Sequence, residues 1–233
     1  MRSVQAVTGS GEPYDAAVAG NVQAVQSLVA NGADINEQGD LGTPLHVAAL
    51  QGNLAIAEIL IGNGADIEAT KEVFGARPLH EAARSGTPNI VKFLIARGAR
   101  IDARNDRGST PLLEAAQNRH ADVVRVLLDN GADINATNMR HDSALHVALN
   151  NNQSELAILL ISRGADPRRP GRYGETPLHW AAALGLSDVI TVLVERGADV
   201  KARNANGMTP LATALEAKEF QAAELLRRLG ASD

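Results

Sequence analysis

Histidine titrates near neutrality and is the commonest metal ligand, so the chain's six histidines are the first candidates for chemistry. Four of them, His46, His80, His146 and His179, occupy the same position of a sequence period of about 33 residues. A residue that returns with the period of the architecture is most simply part of that architecture. On successive helices these side chains would stand roughly 8–10 Å apart, one packing distance. A single Zn²⁺ holds its ligands at roughly 2 Å, so the spacing is wrong for a shared metal. His141 and His146 lie five residues apart without a cysteine or a clear carboxylate partner, and a metal is not expected there either. The chain has no cysteine, which removes disulfides, thiolate sites and cysteine nucleophiles. It has neither a Gly-Lys-Ser/Thr phosphate loop nor a Gly-x-Ser-x-Gly elbow. The recurring Asp34, Asp66, Asp133, Asp166 and Asp199 read as turn residues that hydrogen-bond locally, not as acid–base pairs. No enzyme, cofactor or metal site is expected.

The elements that carry these residues follow from two landmarks. One is Thr-Pro-Leu-His or a variant, beginning at Thr43, Arg77, Thr110, Ser143, Thr176 and Thr209, in steps of 34, 33, 33, 33 and 33 residues. The other is Gly-Ala-Asp or a variant at Gly32, Gly64, Gly98, Gly131, Gly164, Gly197 and Gly230. Thr110 is placed to cap a helix, and Pro111 fits its first position, where the missing N–H costs nothing. Leu112, Ala115 and Ala116 give a narrow apolar stripe whose small residues allow close approach. A tight turn follows, at Gly20, Gly52, Gly86 and Gly185 or, in other units, near Arg119, Asn152 and Lys218. Val123, Val124, Leu127 and Leu128 form a second stripe, and Gly131 ends that helix in the left-handed conformation. Each unit is thus two short antiparallel helices and a projecting loop, stable only when its neighbours cover it. The aliphatic column Val29, Ile61, Ile95, Leu128, Ile161 and Val194 becomes Arg227 in the last unit, so Arg227 and Arg228 are expected to face solvent as a C-terminal cap. The first unit also departs from the pattern and reads as the N-terminal cap.

The runs Thr43-Pro44-Leu45-His46, Ala48-Ala49, Gly52 and Gly64-Ala65-Asp66 resemble the ankyrin-repeat consensus. The resemblance covers residues 11–233 as seven repeats, the first and last acting as caps, after an N-terminal stretch, 1–10, expected to be flexible. It implies an all-α solenoid of stacked helix-turn-helix units with β-turn loops projecting beside a concave groove. It also implies that the repeated histidines bond backbone and hydroxyl groups, and that proteins are bound through loop tips and inner helices.

The positions that such binding would use differ from unit to unit. They include Phe74, Arg84, Arg107, Gln117, Met139, Arg140, Asn150, Arg172, Tyr173, Trp180 and Met208, the candidate partner-binding residues. Phe74, Met139, Tyr173 and Met208 are large apolar side chains at loop tips; they read either as anchors for a partner or as packing between loops. Arg104, Arg107, Arg140, Arg168, Arg169 and Arg172 cluster on the middle loops. They read either as a patch for an acidic segment or as solvated residues offset by Asp102, Asp106 and Asp142. With a net charge of −5 the chain lacks the basic excess of a nucleic-acid binder. No run of apolar residues is long enough to span a membrane, and the N-terminus carries no signal-peptide core. The expectation is therefore a cytoplasmic, monomeric, non-catalytic interaction module that binds a protein with an acidic segment. The alternative is a regulatory subunit that holds an anionic ligand or phosphate on its arginine-rich loops.

Overall fold

The computed structural model describes residues 12–232; the stretch 1–10 expected to be flexible lies outside them. Among the described residues there are fourteen α-helices and no strand, only isolated bridges between Gly39 and Gly42 and between Thr137 and Ser143. The fold is an all-α repeat solenoid of helix pairs, as expected. Its contacts divide it into two compact units, Met1–Ala132 and Asp133–Asp233.

The first unit holds four pairs: α1 (Pro13–Val18) with α2 (Val22–Ala30), α3 (Pro44–Gln51) with α4 (Leu54–Gly62), α5 (Pro78–Ser85) with α6 (Pro88–Ala96), and α7 (Pro111–Gln117) with α8 (Ala121–Asp129). Within it the first helices pack in order, α1 on α3, α3 on α5 and α5 on α7, and the second helices form a parallel column. The second unit holds α9 (Ala144–Asn150) with α10 (Ser154–Ser162), α11 (Pro177–Ala183) with α12 (Ser187–Glu195), and α13 (Pro210–Glu216) with α14 (Phe220–Arg228), stacked in the same way.

Helices of six to nine residues do not persist alone in water, so burial must hold them. In the first unit Ala48, Ala49, Ala82, Ala83, Ala115 and Ala116 are fully buried, and their small side chains let α3, α5 and α7 approach. Leu45, Leu60, Leu94 and Leu127 fill the layer between first and second helices, each worth about 1.5–3 kcal/mol of burial. Leu160, Ile190, Leu193 and Leu226 serve the second unit in the same way. The column expected to lie between units is only half-buried at Val29, Ile61, Ile95, Leu128 and Val194, although Ile161 is buried. The complete burial falls at neighbouring positions instead, at Leu60, Leu94, Leu127, Leu193 and Leu226. Arg227 and Arg228 are exposed, as expected.

The mid-unit turns obey one backbone rule whatever their sequence. Gly52 has φ 74° and Gly86 73°, and Arg119, Asn152 and Lys218 are held at 66°, 52° and 64°. A side chain in this left-handed region costs about 1–2 kcal/mol. The turn is therefore imposed by the packing of the two helices it joins.

Candidate functional site

The repeated histidines position the loops. His46 Nδ1 accepts the Thr43 N–H at 3.1 Å and lies 2.9 Å from its hydroxyl. An acceptor Nδ1 leaves the proton on Nε2, which donates to the Ala76 carbonyl of the next loop at 3.0 Å. His80 joins the Arg77 N–H to the Ser109 carbonyl, and His179 joins Thr176 to the Met208 carbonyl. Arg77, which stands where other units have a capping hydroxyl, keeps the histidine bond and sends its guanidinium to the Arg104 carbonyl. Burial holds the imidazole of His46 down to about 4, and it lowers those of His80, His146 and His179 as well. These neutral side chains are clamps. His146 departs: its Nδ1 meets Ser143, but its buried Nε2 has no hydrogen-bond partner among the described residues. The loop it faces carries Pro167, Pro170 and Gly171.

Two kinds of loop hang from these clamps. In one, an asparagine closes the turn: Asn105 Oδ1 accepts from Arg107 and Ser109, Asn138 Oδ1 from Arg140 and Asp142, and Asn204 Oδ1 from Asn206 and Met208. In the other, Lys71 or Gly171 occupies that position, and two successive residues turn left-handed: Phe74 with Gly75, and Tyr173 with Gly174. The aromatic carbonyl is then tied to the following loop, Phe74 to the Asp106 N–H at 3.0 Å and Tyr173 to the Ala205 N–H at 2.9 Å. Strained backbone of this kind persists only where its surroundings fix it.

The side chains at these two tips point outward. Phe74 is 50% exposed and Tyr173 62%. Arg107 lies over the Phe74 ring at 4.0 Å and Arg172 over that of Tyr173 at 4.5 Å. Met139 is 72% exposed, whereas Met208 is half-buried and spends its carbonyl on His179. Gln117 and Asn150 end their helices exposed, and Trp180 is half-buried on α11.

The arginines expected as one cluster have different tasks. Arg104 bonds the Gly108 carbonyl and Arg168 the Gly197 carbonyl, so both brace loops. Arg140 and Arg169 are exposed. Arg84 turns back onto Glu81, a carboxylate only 5% exposed that also receives Lys71 Nζ at 3.1 Å. Burial works to raise the Glu81 pKa, but the Arg84 and Lys71 bonds outweigh it and bring the group below its ordinary value.

In the first unit these groups meet around a cavity of about 300 Å³, lined by Lys71, Val73, Phe74, Ala76, His80, Glu81, Arg84, Asn105, Arg107 and Glu114. Of the candidate partner-binding residues, Phe74, Arg84 and Arg107 line this cavity. Glu81 and Glu114 were not anticipated. The signal was in the sequence: both stand on first helices where other units carry Val47, Val147, Trp180 and Thr213. Gln117 does not line the cavity. In the second unit Arg172 and Tyr173 are joined by their stack, and Met208 sits in a separate hollow with Arg203 and Leu211. Among the described residues no group of three His, Cys, Asp or Glu side chains is placed to hold a metal, and no helix is long and apolar enough to cross a membrane.

Comparison with known proteins follows the same lines. The family model described as ankyrin repeats (3 copies) matches residues 63–138, 79–170 and 145–232, and that described as ankyrin repeats (many copies) matches 14–61. The crystal structure of the human ASB11 ankyrin repeat domain is similar at 30% identity and TM-score 0.82, over 95% of this chain and 98% of that one. The ankyrin repeat domain of Bcl-3, described as a unique member of the IkappaB protein family, is similar at 30% identity and TM-score 0.83, over 94% of this chain and 99% of that one. No curated protein matches the chain. With a family model spanning most of its length and its helix pairs stacked in sequence order within each compact unit, the chain belongs to the ankyrin-repeat family.

Proposed function

We propose that this chain is a non-catalytic protein-interaction module, a cytoplasmic monomer that grips its partner by the loop tips and the adjoining ends of the first helices. Ankyrin-repeat domains generally mediate protein–protein interaction, and the loop geometry supports that role for these residues. The observation that carries the reading is the pair of aromatic tips, Phe74 and Tyr173. Each is half or more exposed, fixed by a carbonyl bond to the next loop and covered on one ring face by an arginine. A solvated loop with no partner has no need of an aromatic side chain on strained backbone, whereas a rigid, pre-ordered anchor loses little entropy on binding. Arg84, Gln117, Met139, Arg140, Asn150, Trp180 and Met208 would complete the contact. A typical interface of roughly 800 Å² per partner draws on several repeats.

The test is capture from native lysate by three proteins: wild type, an Arg107→Ala/Arg140→Ala/Tyr173→Ala variant, and Lys92→Ala on an outer helix as control. Circular dichroism establishes that all three are folded. The same protein should be retained by wild type and Lys92→Ala and lost from the triple variant. Equal retention by all three would exclude the loop face.

A second reading is a regulatory subunit that holds an anionic ligand or phosphate on Arg140, Arg169 and Arg172. It is favoured by the exposed Arg140 guanidinium, which has no hydrogen-bond or ion-pair partner among the described residues. Binding through those arginines would weaken steeply with salt. Salt-tolerant binding lost on Phe74→Ala and Tyr173→Ala would favour the first reading.

A further inference from the structure

The cavity beside Phe74 has a chemistry that narrows what can enter it. Its base is Glu81, whose charge is already met by Lys71 and Arg84. Its second carboxylate, Glu114, is half-buried and accepts only the neutral Asn105 amide, at 3.2 Å. Its rim is Arg107, an exposed guanidinium that lies flat on the Phe74 ring and has no hydrogen-bond or ion-pair partner among the described residues. Arg84, with a side chain 44% exposed, borders the same space. The remaining wall is apolar: Val73 is 62% exposed, Phe74 half so, and Ala76 lies at the bottom.

Three cations against two carboxylates leave the lining with one positive charge. Arg107 presents a planar fork of donors whose orientation is fixed by the ring beneath it, the arrangement suited to a carboxylate. A phosphate dianion would overshoot that single charge. It would also meet Glu114 inside the cavity and Asp106, whose carboxylate rests against Gly75 just outside the lining. A neutral apolar side chain alone would bury the Arg107 donors unpaired, at a cost. The volume suits one or two side chains.

On the reading of the chain as an interaction module, we infer that this cavity receives an acidic side chain followed by an aliphatic one from the partner. The carboxylate sits between Arg107 and Arg84, and the aliphatic group lies on Val73 and Phe74. This fixes the chemistry of the partner segment at one point of the face: a glutamate or aspartate next to a residue such as leucine.

The probe is N-acetyl-Glu-Leu-amide, titrated into ¹⁵N-labelled full-length chain while the Arg Nε–H and loop amide signals are followed by NMR. Saturable shifts are expected at Arg84, Arg107, Phe74 and Val73, with a Kd on the order of 1 mM for so small a ligand. N-acetyl-Gln-Leu-amide should bind about tenfold more weakly, and the phosphoserine analogue no more tightly than the glutamate one. Arg107→Gln, which leaves the surrounding hydrogen bonds intact, should weaken the glutamate probe about tenfold with no change in thermal unfolding. Arg140→Gln, in the other compact unit, should change nothing. Equal binding of the Glu and Gln probes, tighter binding of the phosphoserine probe, or shifts that survive Arg107→Gln would each overturn the proposal. The lysate capture separates it from the broader reading. A partner lost from the triple variant but retained by Arg107→Gln and not competed by the Glu-Leu probe refutes this cavity alone. Probe binding without any partner sensitive to the triple variant refutes the interaction reading alone.

Discussion

Lowering the pH from 7.5 to 5 perturbs His46 in a way the structure makes quantitative. Its Nδ1 accepts the Thr43 N–H and its Nε2 donates to the Ala76 carbonyl, so both nitrogens are engaged and the side chain is completely buried. A second proton has nowhere to go: on Nδ1 it would face the Thr43 N–H. Burial accordingly lowers the group from 6.5 to about 4, against smaller opposing effects of the Ala76 carbonyl and Glu81. In the unfolded chain His46 takes up its proton near 6.5. Between those values the unfolded state binds more protons than the folded one, so acid favours unfolding. The stabilisation is full above 6.5, is lost progressively as the pH falls toward 4, and levels off below that. By pH 5 this one histidine should have cost about 2 kcal/mol, and across the whole interval about 3 kcal/mol. The assay is urea unfolding followed by circular dichroism at pH 7.5, 6 and 5, for wild type and His46→Gln. Glutamine loses the link to Ala76 and should start about 1–2 kcal/mol less stable. Its stability should nevertheless fall by about 2 kcal/mol less than that of wild type between the two ends of the series. Parallel pH profiles for the two proteins would refute the clamp, because they would mean that His46 is protonated equally in both states.

Three further outcomes follow from particular positions. Lys218→Gly releases a side chain held at φ 64° and should raise stability by about 0.5–1 kcal/mol in the same urea assay; a loss would mean that the left-handed turn is not strained. Leu94→Ala, at a completely buried position of α6, should cost about 2–5 kcal/mol, and a cost under 1 kcal/mol would contradict the packing described for the first unit. Phe74→Gly removes both the ring and the strain at φ 71°. It should leave stability within about 1 kcal/mol of wild type while weakening the Glu-Leu probe, as measured by thermal unfolding and by NMR titration.

The helices were legible because the sequence repeats its own instructions. Pro111 after Thr110, Ala115-Ala116 and Gly131 each act within a few residues, and the same residues return about 33 positions later. Even the turns without glycine could be placed, since Arg119, Asn152 and Lys218 stand where sister units have Gly52 and Gly86. What escaped the sequence is whatever one unit does to the next through side chains. That Arg104 and Arg168 would be spent on carbonyls, and Arg107 on a ring one repeat away, depends on directions that no spacing encodes. Glu81 was overlooked for a different reason. A carboxylate on a first helix reads as exposed until Lys71 and Arg84, ten residues before and three after, are seen to close over it.

The departures from the repeat converge on one structural choice. Asn105, Asn138 and Asn204 close their turns with a side chain, and the residue just before the left-handed Gly108, His141 or Gly207 then keeps ordinary backbone. Lys71 and Gly171 lack that carbonyl at the same position, and their loops close instead with the left-handed pairs Phe74-Gly75 and Tyr173-Gly174. The same substitution that frees the loop from its asparagine also frees Lys71 to reach Glu81, which builds the base of the cavity that Phe74 walls. Loss of a turn-closing residue would ordinarily loosen a loop. Here the carbonyls of Phe74 and Tyr173 take the N–H groups of Asp106 and Ala205, so the strain is held by the neighbouring repeat and the ring stays fixed in solvent. A repeat array can in this way make a cavity with a fixed aromatic wall from an irregularity without disturbing the helices beneath it, because the loop's anchor is the next loop and not the core.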